Sequence, residues 1–130
     1  MSFYRIAFGK KGEDDAVIFL KKKGYKILDR NYRTRHGEID IIASEKDTLV
    51  FVEVKTRNNN RCGEAQEAMN IRKQEQIAKV AVHYIWKNKL SSKDCRFDVV
   101  AINSNNENDK TENRIQLIKN AFIVNKFISV

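Results

Sequence analysis

The chain has 130 residues, of which 42% are hydrophobic, so it suits one domain with a real core rather than two domains. Lysine and arginine outnumber aspartate and glutamate by 25 to 17, and the net charge of +8 favours nucleic acid ahead of an acidic membrane surface, although a solvated basic surface would also account for it. Cys62 and Cys95 are too few for a zinc site, and no secretory signal or membrane span is apparent, which predicts a soluble, cytoplasmic protein without a membrane partner.

An amphipathic helix is predicted to begin at Gly12 and to end at Gly24, after a loosely held basic lead-in over residues 1–11. Three acids, Glu13 among them, fall in its first turn, where the helix dipole favours negative charge. Glu13 also shares the buried face of this helix with apolar residues further along, which are Ala16, Val17 and Leu20. An acid on a buried face is a candidate for function, and a dipole-stabilising acid is the structural alternative.

Three strands joined by short polar turns follow, and they predict an antiparallel meander over residues 25–33, 37–42 and 49–55. In the third strand alternate side chains share a face, so Phe51, Glu53 and Lys55 point one way. The second strand places another acid, Asp40, among branched apolar residues. Such charges are costly unless they are paired or bound. Two acids and a lysine on neighbouring strands are the groups needed to hold a divalent metal beside a phosphate and to activate a water.

A polar loop and a long helix follow the meander. Residues 57–63 lack an apolar period and are interpreted as a mobile loop that overhangs Lys55. The helix is predicted over residues 64–90, with a break near Asn70 whose side chain would cap the longer second part. Lys73 therefore falls near the N-terminal end of that part.

The last third of the chain predicts two more strands, over residues 96–102 and 114–119. Between them, residues 103–113 are rich in asparagine and acids and are interpreted as a flexible loop. An apolar C-terminal tail over residues 123–130 is expected either to cover the sheet or to meet another subunit. Together the elements predict one α/β domain over residues 1–130, with a mixed central sheet flanked by helices.

The order of elements, with Asp40 followed by Glu53-Val54-Lys55, resembles the signature and the αβββαβ core of the restriction endonuclease-like nucleases. Ile39 stands where that signature has a proline. More narrowly, the chain is similar to the YraN (UPF0102) family over nearly its whole length. The segments that carry this similarity are residues 12–16, 24–25, 31–33, 37–40, 50–57, 72–74, 96–100 and 120–122. That family is similar in turn to the archaeal Holliday-junction resolvases, which are dimers that cut branched DNA with Mg²⁺.

The resemblance implies a metal-dependent endonuclease of the PD-(D/E)xK type that hydrolyses phosphodiester bonds in DNA, with branched DNA as a substrate and a homodimer as the assembly. Asp40 and Glu53 would bind Mg²⁺ or Mn²⁺ through oxygen, with the Val54 carbonyl as a third ligand. Lys55 would orient the attacking water or neutralise developing charge. Glu13 resembles the extra acid of the resolvase-like enzymes and would hold the same metal or a second one.

Other charged and polar residues are expected to be structural or to contact nucleic acid. Glu38 is expected to face away from Asp40 and to be structural. The candidates for contact with the nucleic acid backbone lie at the turns and near the helix start, and they are Arg33, Arg35, Arg57, Lys73 and Gln76. For the arginines, a solvated strand edge that discourages aggregation is the structural alternative.

Two other functions are open at this point. A non-catalytic binding module on the same fold would hold nucleic acid without cutting it, and it would show salt-sensitive binding with no metal requirement. A basic protein associated with RNA or the ribosome would use the acids in ordinary salt bridges, which fits the charge but not the predicted burial of Asp40 and Glu53.

Overall fold

The computed structural model of the chain describes residues 3–57, 70–103 and 114–123, and the side chains of residues 3–10 and of Arg57 lie outside this description. The described residues form two helices, α1 (Phe3–Lys22) and α2 (Ile71–Lys87). Neither of these helices is long and apolar enough to cross a bilayer. The strands among the described residues are β1 (Lys26–Thr34), β2 (Gly37–Glu45), β3 (Thr48–Arg57), β4 (Asp94–Asn103) and β5 (Ile115–Phe122).

The strands form one mixed sheet in the order β1-β2-β3-β4-β5. β1, β2 and β3 pair antiparallel, as the short polar turns between them predict. β4 runs parallel to β3, which requires a long connection, and α2 lies within that connection. β5 completes the sheet antiparallel to β4. The predicted α/β class, with a mixed sheet flanked by helices, is confirmed.

The two helices pack on opposite faces of the sheet. One buried cluster joins the inner face of α2, including Ile77 and Tyr84, to Phe51 and other side chains of the sheet. A second cluster joins the inner face of α1, including Leu20, to Val50 and its neighbours on the other face. Val50 and Phe51 are adjacent in the chain, yet they are 0% and 1% exposed. β3 is therefore covered on both sides, which is typical of a central strand between helical layers.

α1 begins at Phe3, roughly two and a half turns before the predicted start at Gly12. The predicted lead-in over residues 1–11 is therefore wrong from Phe3 onward. The physical reason is that no proline interrupts this segment, so the helical pattern continues through it. Glu13 accordingly lies in the middle of α1 rather than in its first turn, and the dipole-stabilising interpretation of Glu13 is wrong, because the dipole acts only near the helix end.

The other boundaries differ less from prediction. Asn70 caps α2 as expected, because its Oδ1 accepts the backbone N–H of Lys73 at 2.9 Å. Asn103 was assigned to the flexible loop, but it is the last residue of β4 and is buried. Of the predicted C-terminal tail, Ile123 is described and its side chain is exposed. The remaining parts of the predicted loops, tail and helix start lie outside the described residues, at 58–69, 104–113 and 124–130.

β1 changes the facing of its side chains halfway along its length. Arg30 bonds to α1, whereas the ring of Tyr32 packs against Tyr84 of α2 with the ring centroids 5.2 Å apart. Residues two apart in a regular strand share a face. The change occurs because Asn31, between them, has a φ of 53° in the left-handed region.

β2 changes its facing at the same level. Ile39 and Ile41 are also two residues apart, yet they belong to the cores on opposite faces of the sheet. Ile39 pairs with Tyr32 and Ile41 pairs with Arg30, the two residues that flank Asn31 in β1. Asp40 lies between Ile39 and Ile41, at the point where β2 changes its facing.

A buried ionic network joins β4 to β2, to β5 and to Tyr25, which precedes β1. The carboxylate of Asp98 is 0% exposed and accepts hydrogen bonds from Arg96 Nε at 3.0 Å, the Tyr25 hydroxyl at 3.0 Å and the Asn120 backbone N–H at 2.9 Å. Arg96 also donates from Nη2 to Glu45 Oε1 at 2.6 Å. Burial is the main reason that the pKa of Tyr25 is raised, followed by the charge of Asp98.

Replacing Arg96 by alanine should lower the free energy of unfolding by about 3–5 kcal/mol, because the Asp98 charge would stay buried without its cation. Urea unfolding at neutral pH measures this. The matched control is Arg33→Ala, since Arg33 is 77% exposed and its pair with Glu38 should contribute no more than about 1 kcal/mol. Equal losses in the two variants would contradict a structural role for the buried pair.

Candidate functional site

The candidate charges meet where the pairing of β2 with β3 ends. The ladder between these strands extends as far as Ile41 opposite Val52. Beyond this point the Asp40 side chain replaces a backbone acceptor, because its Oδ2 accepts the N–H of Val54 at 2.8 Å. The Asp40 carboxylate is thereby held against β3, beside Glu53.

Asp40 and Glu53 form a pair of buried carboxyl groups. A hydrogen bond joins their side chains, and Glu53 is only 9% exposed. Burial, and after it the charge of Glu53, raises the pKa of Asp40 from 3.8 to about 7, although the Val54 N–H opposes this. Burial also raises the pKa of Glu53, against the effect of the nearby lysines. Buried carboxyls with raised pKa values in contact with each other are the electrostatic condition found at many catalytic and cation sites.

Two lysines approach the same oxygen of Glu53. Lys55 Nζ lies 3.7 Å from Glu53 Oε1, and Lys73 Nζ lies 4.0 Å from it. Lys55 follows Glu53 by two residues and so shares its face of β3, while Lys73 comes from the first turn of α2. These distances are longer than those of hydrogen bonds, so both ammonium groups neutralise Glu53 without being locked to it. Both side chains remain partly exposed, which leaves them able to meet an anion.

Glu13 reaches this region from α1. Its charge is one of the smaller causes that raise the pKa of Asp40. Glu13 Oε1 accepts hydrogen bonds from Arg30 Nη2 at 3.0 Å and from Asn31 Nδ2 at 2.9 Å. Arg30 also binds Asp14 of α1 at 2.6 Å. β1 therefore holds Glu13 at the level of Asp40 along the sheet.

The residues predicted to contact nucleic acid are distributed over β1, the β1–β2 turn, β3 and α2. Lys73 lies at the carboxyl pair. Arg33 is exposed and its Nε donates to Glu38 at 2.8 Å, while Arg35 is exposed in the turn between β1 and β2. Gln76 is exposed further along α2. Arg57 ends β3, and its side chain lies outside the description.

Sequence reasoning missed the electrostatic effect of Glu38 on the carboxyl pair. Glu38 was expected to be structural, and its Oε2 pairs with Arg33 Nε at 2.8 Å. Its charge also makes a small contribution to raising the pKa of both Asp40 and Glu53. Gln74, in the first turn of α2, is half-buried, unlike the predicted Gln76.

Among the residues that the structure describes, no three or more aspartate, glutamate, histidine or cysteine side chains are grouped closely enough to hold a metal ion between them. The site instead presents two joined carboxyl groups, Asp40 and Glu53, with Glu13 tied to β1 nearby. Within the described part of the chain, the Val54 carbonyl is a candidate for a further ligand.

The sequence profile of the family described as "Uncharacterised protein family UPF0102" matches residues 12–102. The chain belongs to the UPF0102 family. The UPF0102 protein of Chlorobium phaeobacteroides is 45% identical over 129 residues, which cover 99% of this chain and 100% of that protein. The UPF0102 protein of Caldicellulosiruptor saccharolyticus is 47% identical over 114 residues, covering 88% and 95% respectively. The UPF0102 part of the resemblance is thereby confirmed, and the matched range includes Glu13, Asp40, Glu53 and Lys55.

Proposed function

We propose that this UPF0102 protein is a metal-dependent DNA endonuclease of the restriction endonuclease-like, PD-(D/E)xK type. The observation that carries the proposal is the buried Asp40–Glu53 carboxyl pair with Lys55 and Lys73 directed at one of its oxygens. Two acids buried in contact with each other are costly for folding even with lysines nearby, and a functional role would explain their presence. The order of elements, with the acids on β2 and β3, supports the αβββαβ arrangement of that superfamily.

The donor set suits Mg²⁺ or Mn²⁺. Enzymes commonly bind Mg²⁺ through one or two carboxylates, with waters and phosphate oxygens completing the octahedron, and Asp40 and Glu53 supply that number. The Val54 carbonyl is a third donor on the same side of β3, because the Val54 N–H points at Asp40 and the two polar groups of a strand residue point the same way. Glu13, held by Arg30 and Asn31, would stand behind the ion.

Lys55 and Lys73 would then have separate roles in the reaction. A divalent ion bound here would supply polarisation of the scissile phosphate and acidification of a water. Lys55 would place its ammonium group against the phosphate oxygens as negative charge develops. Lys73 would contact a phosphate at the N-terminal end of α2, where the backbone dipole also favours an anion. Without DNA, both lysines neutralise Glu53 instead.

DNA is the proposed substrate because the chain carries a net charge of +8 and has exposed arginines at the end of β1 and in the following turn, Arg33 and Arg35. The similarity to the archaeal resolvases extends the proposal to branched DNA and to a homodimer. Both the preference for branched DNA and the homodimer rest on that similarity. The cleavage assay includes branched substrates, which test the preference for branched DNA.

A second candidate function is nucleic acid binding without cleavage. The observation that favours it is that both lysines already pair with Glu53, while Glu13 is bound to β1 rather than joined to the other two acids. A site neutralised in this way could be a stable scaffold. It predicts DNA binding that weakens with salt and does not depend on a metal ion.

The test is a cleavage assay on linear duplex, single-stranded, flapped and four-way-junction DNA, each with Mg²⁺, Mn²⁺ or EDTA. We expect cutting that requires the metal and is fastest on a branched substrate. Lys55→Ala, purified in parallel, controls for contaminating nucleases. Binding in EDTA without cutting of any substrate in either metal would overturn the proposal and support the second candidate.

A further inference from the structure

Glu13 is held by two side chains of β1 that have no direct part in the proposed reaction. Its Oε1 accepts hydrogen bonds from Asn31 Nδ2 at 2.9 Å and from Arg30 Nη2 at 3.0 Å and Nε at 3.2 Å. All three bonds go to one oxygen. The rotation of the carboxylate is therefore fixed, and its second oxygen has a defined direction.

The backbone around Glu13 is fixed as well. Gly12 is buried, and a Cβ at this position would lie 3.2 Å from Thr56 Cγ2. α1 therefore lies close against β3 one residue before Glu13. Thr56 follows Lys55, so the contact is at the end of β3 that carries the candidate site.

Asn31 reaches Glu13 from a left-handed position within a strand. Its φ of 53° is accessible to asparagine and glycine at little cost, while other residues are disfavoured there. The same conformation turns Arg30 towards α1 and places Asn31 at the level of Asp40. One backbone feature thus brings both donors to Glu13.

We propose that Asn31 is a positioning residue, whose side-chain amide holds the Glu13 carboxylate at the level of Asp40 and so strengthens the binding of a divalent cation. Arg30 is the second support of the same carboxylate. The inference rests on the proposed function, because it assumes that Asp40 and Glu53 bind the cation. Groups that orient the surroundings of metal ligands commonly change metal affinity about 10- to 100-fold when they are removed.

The experiment measures Mn²⁺ affinity by calorimetry on the full chain without DNA, for wild type, Asn31→Gly, Glu13→Gln and the double variant. Glycine keeps the left-handed backbone and removes only the amide, whereas alanine would add strain. We expect Asn31→Gly to weaken Mn²⁺ binding about tenfold. In the Glu13→Gln background the same change should have no further effect, since Asn31 acts through Glu13.

Asn120→Gly is the matched control, because Asn120 is also left-handed, with a φ of 52° in β5, and the backbone N–H that it donates to Asp98 is kept by glycine. Its Mn²⁺ affinity should equal that of wild type. An unchanged affinity in Asn31→Gly, or an equal loss with and without Glu13, would overturn the positioning role. Absence of Mn²⁺ binding by wild type would instead overturn the proposed function itself.

Discussion

Replacing Asp40 by asparagine should abolish DNA cleavage and at the same time make the fold more stable. Cleavage is lost because the amide removes a charged ligand for the divalent ion. Stability rises because the amide oxygen can still accept the Val54 N–H, while the buried charge next to Glu53 disappears. A gain in stability together with a loss of activity is expected at a functional site and not at a structural ion pair.

The gain from Asp40→Asn should depend on pH. Burial, with the charge of Glu53, raises the folded-state pKa of Asp40 from 3.8 to about 7, so this group takes up a proton on folding within that interval. The wild type therefore loses stability as the pH rises through the interval, and the penalty is complete above it. Asparagine is neutral throughout, so its advantage should be about 2–4 kcal/mol at about pH 8 and close to zero at about pH 4.

Thermal and urea unfolding in EDTA at several pH values measure this difference. EDTA is needed because a bound ion would stabilise the wild type alone. The matched control is Asp47→Asn, since Asp47 is an exposed acid in the turn between β2 and β3 and should show little change at any pH. If Asp40→Asn is less stable than wild type at high pH, the carboxyl pair is a stabilising structural feature and the account is wrong.

Replacing Lys55 by alanine should lower the single-turnover cleavage rate by about 10²- to 10³-fold, which is the usual effect of removing one group that stabilises developing charge. Mn²⁺ affinity should be unchanged or higher, because the ammonium group that competes for Glu53, 3.7 Å away, is gone. The two measurements together separate a role in the reaction from a role in holding the metal.

Lys93→Ala is the control for Lys55→Ala. It removes the same charge from an exposed residue that precedes β4, and because β4 is parallel to β3, this position lies at the opposite end of the sheet. Its cleavage rate should stay within about twofold of wild type at moderate salt. Cutting by Lys55→Ala at the wild-type rate would show that Lys55 has no part in the reaction.

The sequence predicted the sheet and the central acids because their signals are local. The meander followed from short polar turns between β-branched segments, and Asn70 was recognised as a cap from its place before a helical pattern. Glu53 and Lys55 were placed on one face by the two-residue period of β3. Their distance of 3.7 Å to each other agrees with that placement.

What the sequence could not predict depends on contacts between distant segments. The carboxyl pair exists because the β2–β3 ladder ends at Ile41 and Asp40 replaces a backbone acceptor, and no residue pattern marks the end of a ladder. The left-handed Asn31 reverses the facing of β1, which a strict period of two excludes. Arg96 and Asp98 of β4 bond to Glu45 in β2 and to the Asn120 backbone N–H in β5, and no local pattern in the sequence indicates these contacts.

The direct test of the central claim is the position of a bound cation. Diffraction data collected at the manganese absorption edge, from crystals grown or soaked with Mn²⁺, would give that position in an anomalous difference map. We expect a peak at bonding distance from carboxylate oxygens of Asp40 and Glu53, at about 2.1 Å for the equivalent Mg²⁺, with Lys73 moved away from Glu53. A map with Mn²⁺ bound only elsewhere, or with Lys55 and Lys73 still paired to a metal-free Glu53, would contradict this expectation.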